Sequence, residues 1–240
     1  MGPLRLWLSL SFVACSGPVL GPIPEQGEQA IGLVLLVHGS GDDPSDWADP
    51  LAMEIREALD APELWDVAAY DWSEPAANKL LAAGRGLDHG MAIGEILSLE
   101  RDYSAVQIVS HSVGGHVSHG IAQTWTDGVL QQTFLDPFGG RGLVRWSYGY
   151  NRFGETGTFS ETYFNADDGV PSTDRPPRHT HGFDVTALRE VSYEEDAHWW
   201  PIEWYRHSLG SGIGLDLALP FSGEAYWSEY PSGEQTVLAP

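Results

Sequence analysis

"QIVSHSVGGHVSHG", residues 107–120, runs from an apolar stretch into a segment with helical spacing. "AVQIVS" (105–110) has the β-branched, uninterrupted apolar character of a buried strand. Beyond the serine at 112, the residues Val113, Val117, Ile121 and Trp125 fall on one face of a helix. A serine between a strand and a helix, with small residues two before and two after it, has the form of a nucleophile elbow. Here those residues are Ser110 and Gly114, and Gly115 adds room. Strand and helix backbones approach closely at such a turn, which lifts the hydroxyl out of the sheet at a helix N-terminus that favours negative charge. The same serine could instead be a plain helix N-cap. The rest of the chain decides between the two.

Outward from this stretch the elements alternate. "IGLVLLVHG" (31–39) is a continuous apolar run, as in a strand buried on both faces of a parallel sheet. Trp47, Leu51, Ile55 and Leu59 then recur every four residues, predicting a helix from Asp46 to Leu59. "LWDVAAYDW" (64–72) reads as a strand, and residues 74–99 carry helical periodicity interrupted at Gly84, Gly86 and Gly90. "LQQTFLD" (130–136) is a further strand. "ETYFN" (161–165) and "HGFDVTALREVS" (181–192) are strand-like, separated by the Pro-rich loop "ADDGVPSTDRPPRHT" (166–180). Such alternation implies an α/β fold with a mostly parallel central sheet flanked by helices. In these sheets ligand chemistry sits at the C-terminal strand ends.

The 240 residues suffice for one large core. Acidic residues outnumber basic ones 34 to 12, and Lys79 is the sole lysine. That balance excludes nucleic acid as a partner, because phosphate binding needs clustered Lys and Arg. A single cysteine, Cys15, excludes an intramolecular disulfide and any multi-cysteine metal site. His179 and His181, near Asp167 and Asp168, are too weak a pattern to imply a metal, and no cofactor is expected.

The N-terminal "MGPLRLWLSLSFVACSG" has a positive charge, an apolar run and small residues, the layout of a secretory signal. "FVAC" resembles the lipobox of bacterial lipoproteins, with Cys15 as the lipidated residue. The apolar run falls short of the roughly 20 residues a membrane-spanning helix needs. The expected organisation is a signal over 1–14, a Gly/Pro/Glu-rich tether over 15–30, an α/β domain over 31–208, and a C-terminal extension over 209–240. The extension packs on that domain or trails from it. The protein is expected to be exported, either anchored to a membrane by lipid on Cys15 or secreted.

A nucleophilic serine needs an oxyanion hole, a base and an acid. "VHGSGDDPSDW" (37–47) follows the first strand, and the amides of Ser40 and Val113 are the candidate oxyanion donors. Asp136 ends a strand before Pro137, which cannot continue a ladder. Asp168, or its neighbour Asp167, lies past the end of another, so either strand end fits the order Ser, acid, His. Among nine His, His198 in "EEDAHWWPIEWY" (194–205) is the candidate base, with His207 second. His111, His116 and His119 adjoin Ser112 but should point elsewhere, and His179 and His181 should be solvated in their loop.

Taken together these segments resemble the α/β-hydrolase superfamily, within it the lipases of the pancreatic type and their bacterial relatives. The resemblance rests on His38-Gly39 with Trp47, Asp71-Trp72, Ser110-His111-Ser112-Val113-Gly114-Gly115-His116, Leu135-Asp136-Pro137, and His198 with Tyr205. It covers about residues 31–208. Ser110 replaces the family's usual Gly, and its paired cysteines and C-terminal β-sandwich are absent. The resemblance implies an α/β-hydrolase fold, favours Asp136 over Asp168 as the acid, and implies ester hydrolysis by a lipase or carboxylesterase acting through an acyl-enzyme. Alternatives are an amide or thioester hydrolase with the same triad, and a non-catalytic hydrolase-fold protein that binds lipid or a partner.

Overall fold

The structure, a computed structural model, describes residues 17–142, 144–215 and 224–240. The expected signal segment and Cys15 lie outside these residues. Seven strands form one sheet: β1 (Gly32–Val37), β2 (Trp65–Tyr70), β3 (Ala105–His111), β4 (Val129–Leu135), β5 (Phe159–Phe164), β6 (His181–Asp184) and β7 (Gln235–Val237). Their order is β2-β1-β3-β4-β5-β6-β7. Every pair is parallel, so the sheet is wholly rather than mostly parallel.

All six residues of β1 are buried because both faces of the sheet are covered. Side chains alternate along a strand, so β1 feeds two cores. Val34 and Leu36 face a cluster built with α1 (Ala48–Ala58) and α6 (Trp200–Arg206). Leu33, Leu35 and Val37 face the other, built with α3 (Ala82–Glu100) and α4 (Gly115–Thr124). Among the described residues three further helices are short: α2 (Ser73–Ala76), α5 (Tyr148–Arg152) and α7 (Glu224–Glu229).

Several expectations need correction. The glycines between 84 and 90 do not interrupt a helix, since α3 runs through them. Gly86 and Gly90 let α3 lie against α4: a Cβ on Gly90 would stand 2.1 Å from the Val117 carbonyl oxygen. The strand-like stretch 181–192 is extended only over β6, because a 3-10 turn starts at Thr186. His181 is not solvated but lies 3% exposed in β6, with its ring nitrogens engaged by the Pro231 carbonyl and the Thr236 hydroxyl.

Residues 17–30 do not hang free as a tether. Leu20 and Ile23 pack against the second core. The Gly27 amide donates to Asp66 (2.8 Å), and Gln26 bridges the Ala30 carbonyl and the Asp102 amide. At the other end, α7 and β7 belong to the 209–240 segment. β7 extends the sheet beside β6, and the Tyr226 hydroxyl donates to buried Glu161 at 3.0 Å. Thr133 and Tyr163 also donate to that carboxylate. Burial pushes Glu161 up to about 7 against these hydrogen bonds. No described helix is long and apolar enough to cross a membrane.

Candidate active site

The C-terminal ends of β1, β3, β4 and β5 converge around one cavity of about 460 Å³. Ser112, half-buried, follows β3 with φ of 52°. A left-handed backbone on a residue with a side chain costs about 1–2 kcal/mol, and the turn needs close approach to hold it. Gly114 supplies that: a Cβ there would lie 2.7 Å from both the Val37 and His38 carbonyl oxygens. Ser110 is fully buried beneath the turn, so a small side chain takes the place of a Gly. Strand β3 enters the turn directly and α4 leaves it after one 3-10 turn.

Ser40 and Val113 line the cavity beside Ser112. Among the described residues, no hydrogen bond engages either amide. The loop that carries Ser40 is braced by His38, whose Nδ1 donates to the Gly39 carbonyl (2.9 Å) while its Nε2 faces the Trp72 amide (3.4 Å). Trp72 Nε1 returns a hydrogen bond to the His38 carbonyl (2.9 Å). The pairing of His38-Gly39 with Asp71-Trp72 is thus one interlocked unit.

His198 lies on the cavity wall, 8% exposed. Its Nδ1 stands 3.0 Å from Asp136 Oδ2 and 2.8 Å from Asp168 Oδ2. The two residues that the sequence offers as rival acids therefore reach the same atom. His198 Nε2 is buried without a hydrogen bond and is the atom left for proton exchange. Asp167 is elsewhere, in a bidentate pair with Arg189 (2.7 and 2.8 Å). His207 is exposed at the end of α6 and bonds the Glu203 carbonyl.

Asp136 shares the φ anomaly of Ser112, at 44°, and is wholly buried. The Asn165 amide donates to its Oδ1 (3.0 Å). Burial, the largest influence, raises the Asp136 carboxyl to about 7. Burial opposes ionisation of Asp168 as well. There the hydrogen bonds from His198, the Thr173 hydroxyl (2.6 Å) and the Val170 amide (3.0 Å) win and hold it at about 2. Burial disfavours the His198 imidazolium, but hydrogen bonds to both carboxylates lift it to about 9.

Sequence reasoning missed the residues that hold this arrangement. His111 was expected to point away, yet its ring centroid is 4.6 Å from that of His198 and its Nε2 donates to the His198 carbonyl (3.1 Å). Asn165 Nδ2 donates to the Ala197 carbonyl (2.9 Å), tying the acid loop to the base loop. Asp196 accepts from the His198 amide (3.1 Å). Phe138, Val170, Trp199 and Lys79 complete the cavity wall. Strand alternation would have put His111 on the same face as Val109, but nothing local says what packs there. His116 and His119, by contrast, are buried on α4, and burial lowers both, to about 3 and about 4.

One donor atom from each of Asp136, Asp168 and His198 lies within 4.8 Å of the others, the one such cluster among the described residues. His179 and His181 are not drawn to it. The single Nδ1–H of His198 is shared between the two carboxylates.

The strand order and the left-handed serine after β3 are the α/β-hydrolase fold. No family model matches the sequence and no curated protein matches it. Solved structures are similar to it. One, from Xanthomonas campestris pv. campestris, is a candidate hydrolase of the α/β superfamily. It is 16% identical and covers 75% of this chain and 99% of its own, with TM-score 0.45. A thermophilic esterase from Thermogutta terrifontis is 11% identical over 63% of this chain and 66% of its own, with TM-score 0.34. A poly(3-hydroxybutyrate) depolymerase from Bordetella parapertussis is 15% identical over 88% and 73%, with TM-score 0.40. At these low values the fold rests on the sheet and the Ser112 turn.

Proposed function

We propose that the protein is a serine hydrolase of carboxylic esters. The observation that carries this reading is the meeting of a strained Ser112 and a carboxylate-bound His198 on one cavity wall. His198 Nε2 takes the Ser112 proton as the hydroxyl oxygen attacks the ester carbonyl. The amides of Ser40 and Val113 receive the oxyanion. His198 returns the proton to the departing alcohol, and water then attacks the acyl-enzyme with His198 again as base. Phe138, Val170 and Trp199 give the acyl or alcohol group an apolar wall.

A fluorophosphonate probe should label the protein stoichiometrically, and Ser112→Ala should abolish both labelling and short-chain ester hydrolysis. Full esterase activity in that variant defeats the reading. An unlabelled, inactive wild-type protein points instead to a non-catalytic binding role, and cleavage of amides or thioesters over esters to the same triad on a different acyl substrate. Export rests on the charged, apolar and small-residue layout of residues 1–17, and lipid attachment on "FVAC". Mass spectrometry of the native N-terminus should find Cys15 diacylglyceryl-modified, and an intact Met1 would refute it.

A further inference from the structure

The two aspartates at His198 come from separate parts of the sheet. Asp136 follows β4, and Asp168 lies in the loop after β5. Both side chains are fully screened from solvent, and both approach one nitrogen at hydrogen-bonding distance. Each is anchored independently. Asp136 Oδ1 accepts the Asn165 amide, while Asp168 accepts the Val170 amide and the Thr173 hydroxyl. Removing one carboxylate therefore leaves the other in place.

We propose that Asp136 and Asp168 are paired positioning residues for His198, so that either alone holds the imidazole in its working tautomer. This rests on the reading of His198 as the general base. A lone carboxylate would give the imidazolium one counter-charge, and this site gives it two once Asp136 is ionised, above about pH 7.

The other charged or titratable groups facing His198 do not reach Nδ1. His111, from β3, touches the His198 carbonyl and ring. Asp196 caps the His198 amide from the same loop. Asp42 lies 3.6 Å from His111 Nδ1, and it and Lys79 stand on the cavity wall. The second carboxylate should thus make His198 more basic than one alone would. The pH at which kcat/KM rises should lie well above the ordinary histidine range, towards 9.

The test compares wild type with Asp136→Asn, Asp168→Asn and the double variant. Each single variant should keep activity within about tenfold at its own optimum. Each should also move the rising limb of kcat/KM to lower pH by on the order of one unit, the usual influence of a neighbouring opposite charge. The double variant should lose about 10⁴-fold, as when a triad loses its only acid. NMR titration of His198 should show its pKa falling in both single variants, a readout independent of turnover. Where an Asn variant does not fold, Asp136→Ser or Asp168→Ser removes the same charge with less bulk.

The pairing is overturned if one single variant is as inactive as the double while the other matches wild type in rate and pH limb. It is equally overturned if the His198 titration moves in only one of the singles. Absence of probe labelling in wild type would defeat the hydrolase reading and leave the NMR titration to decide the pairing. Loss of wild-type activity on dialysis against a chelator, restored by a divalent metal, would also overturn it, because the carboxylates would then serve an ion.

Discussion

Ser112 and Asp136 both hold left-handed backbone conformations at the ends of adjacent strands, Ser112 at φ 52° and Asp136 at 44°. Unfavourable backbone held in place by its surroundings is a common mark of functional positions. It makes a stability prediction separate from the activity one. Ser112→Gly should remove a cost of about 1–2 kcal/mol, offset by about 0.5–1 kcal/mol of added chain entropy. The inactive variant should therefore melt at or slightly above wild type, by about 2 °C for a net gain near 0.5–1 kcal/mol. A clear fall in melting temperature would mean the serine hydroxyl stabilises the turn. At this scale the sequence was informative wherever the constraint was local. The small residues around Ser112 and the Asp-Pro after β4 mark their turns by themselves. The choice between Asp136 and Asp168 was not legible, because it depends on how the 166–173 loop folds back over β5. Nor was the bracing by His111, whose partner lies 87 residues along the chain.

Among the elements, α3 and α4 show what periodicity conceals. Glycines inside a helical pattern read as interruptions, since each lowers helix propensity by about 1 kcal/mol. Here they permit a close crossing. Gly90 faces the Val117 carbonyl and Gly120, and a Cβ on Gly120 would lie 2.4 Å from the Leu87 carbonyl oxygen. Gly90→Ala should therefore destabilise the protein by about 1–3 kcal/mol through overpacking, despite alanine's better helix propensity. Chemical denaturation measures it, and a stabilised variant would show that the helices can separate cheaply. β1 was legible because it is apolar on both faces, and β3 and β4 because apolar residues flank their buried polar ones. β7 was not. It is three residues long, mostly exposed, and joins the sheet by backbone pairing with β6 and one hydrogen bond between Thr236 and His181. The same holds for residues 17–30, whose docking combines the packing of Leu20 and Ile23 with hydrogen bonds to Asp66 and Asp102.

At the scale of the whole molecule, Glu161 is a buried acid that joins the centre of the sheet to the C-terminal segment through Tyr226. Its folded pKa, about 7, exceeds the ordinary 4.5. The folded state thus binds this proton more tightly than the unfolded one. The contribution is fully present below about pH 4.5 and fades as pH rises through 7, amounting to about 3 kcal/mol across that window. Glu161→Gln lacks the titration. The stability difference, variant minus wild type, should rise by that order between pH 4.5 and 8, read from urea unfolding at each pH. A difference that stays flat with pH would show that Glu161 is ionised throughout. Burial of an acid here could not be read from "ETYFN", where alternation marks Glu161 only as sharing a face with Tyr163.

Lys79 is the only lysine in the chain, and it stands on the wall of the cavity that Ser112 opens into. Reagents that seek side-chain amines therefore have a single address on this protein, beside its proposed chemistry. A fluorophore or immobilising linker placed there would sit at the cavity rim on every molecule alike, and its signal would report directly on what enters.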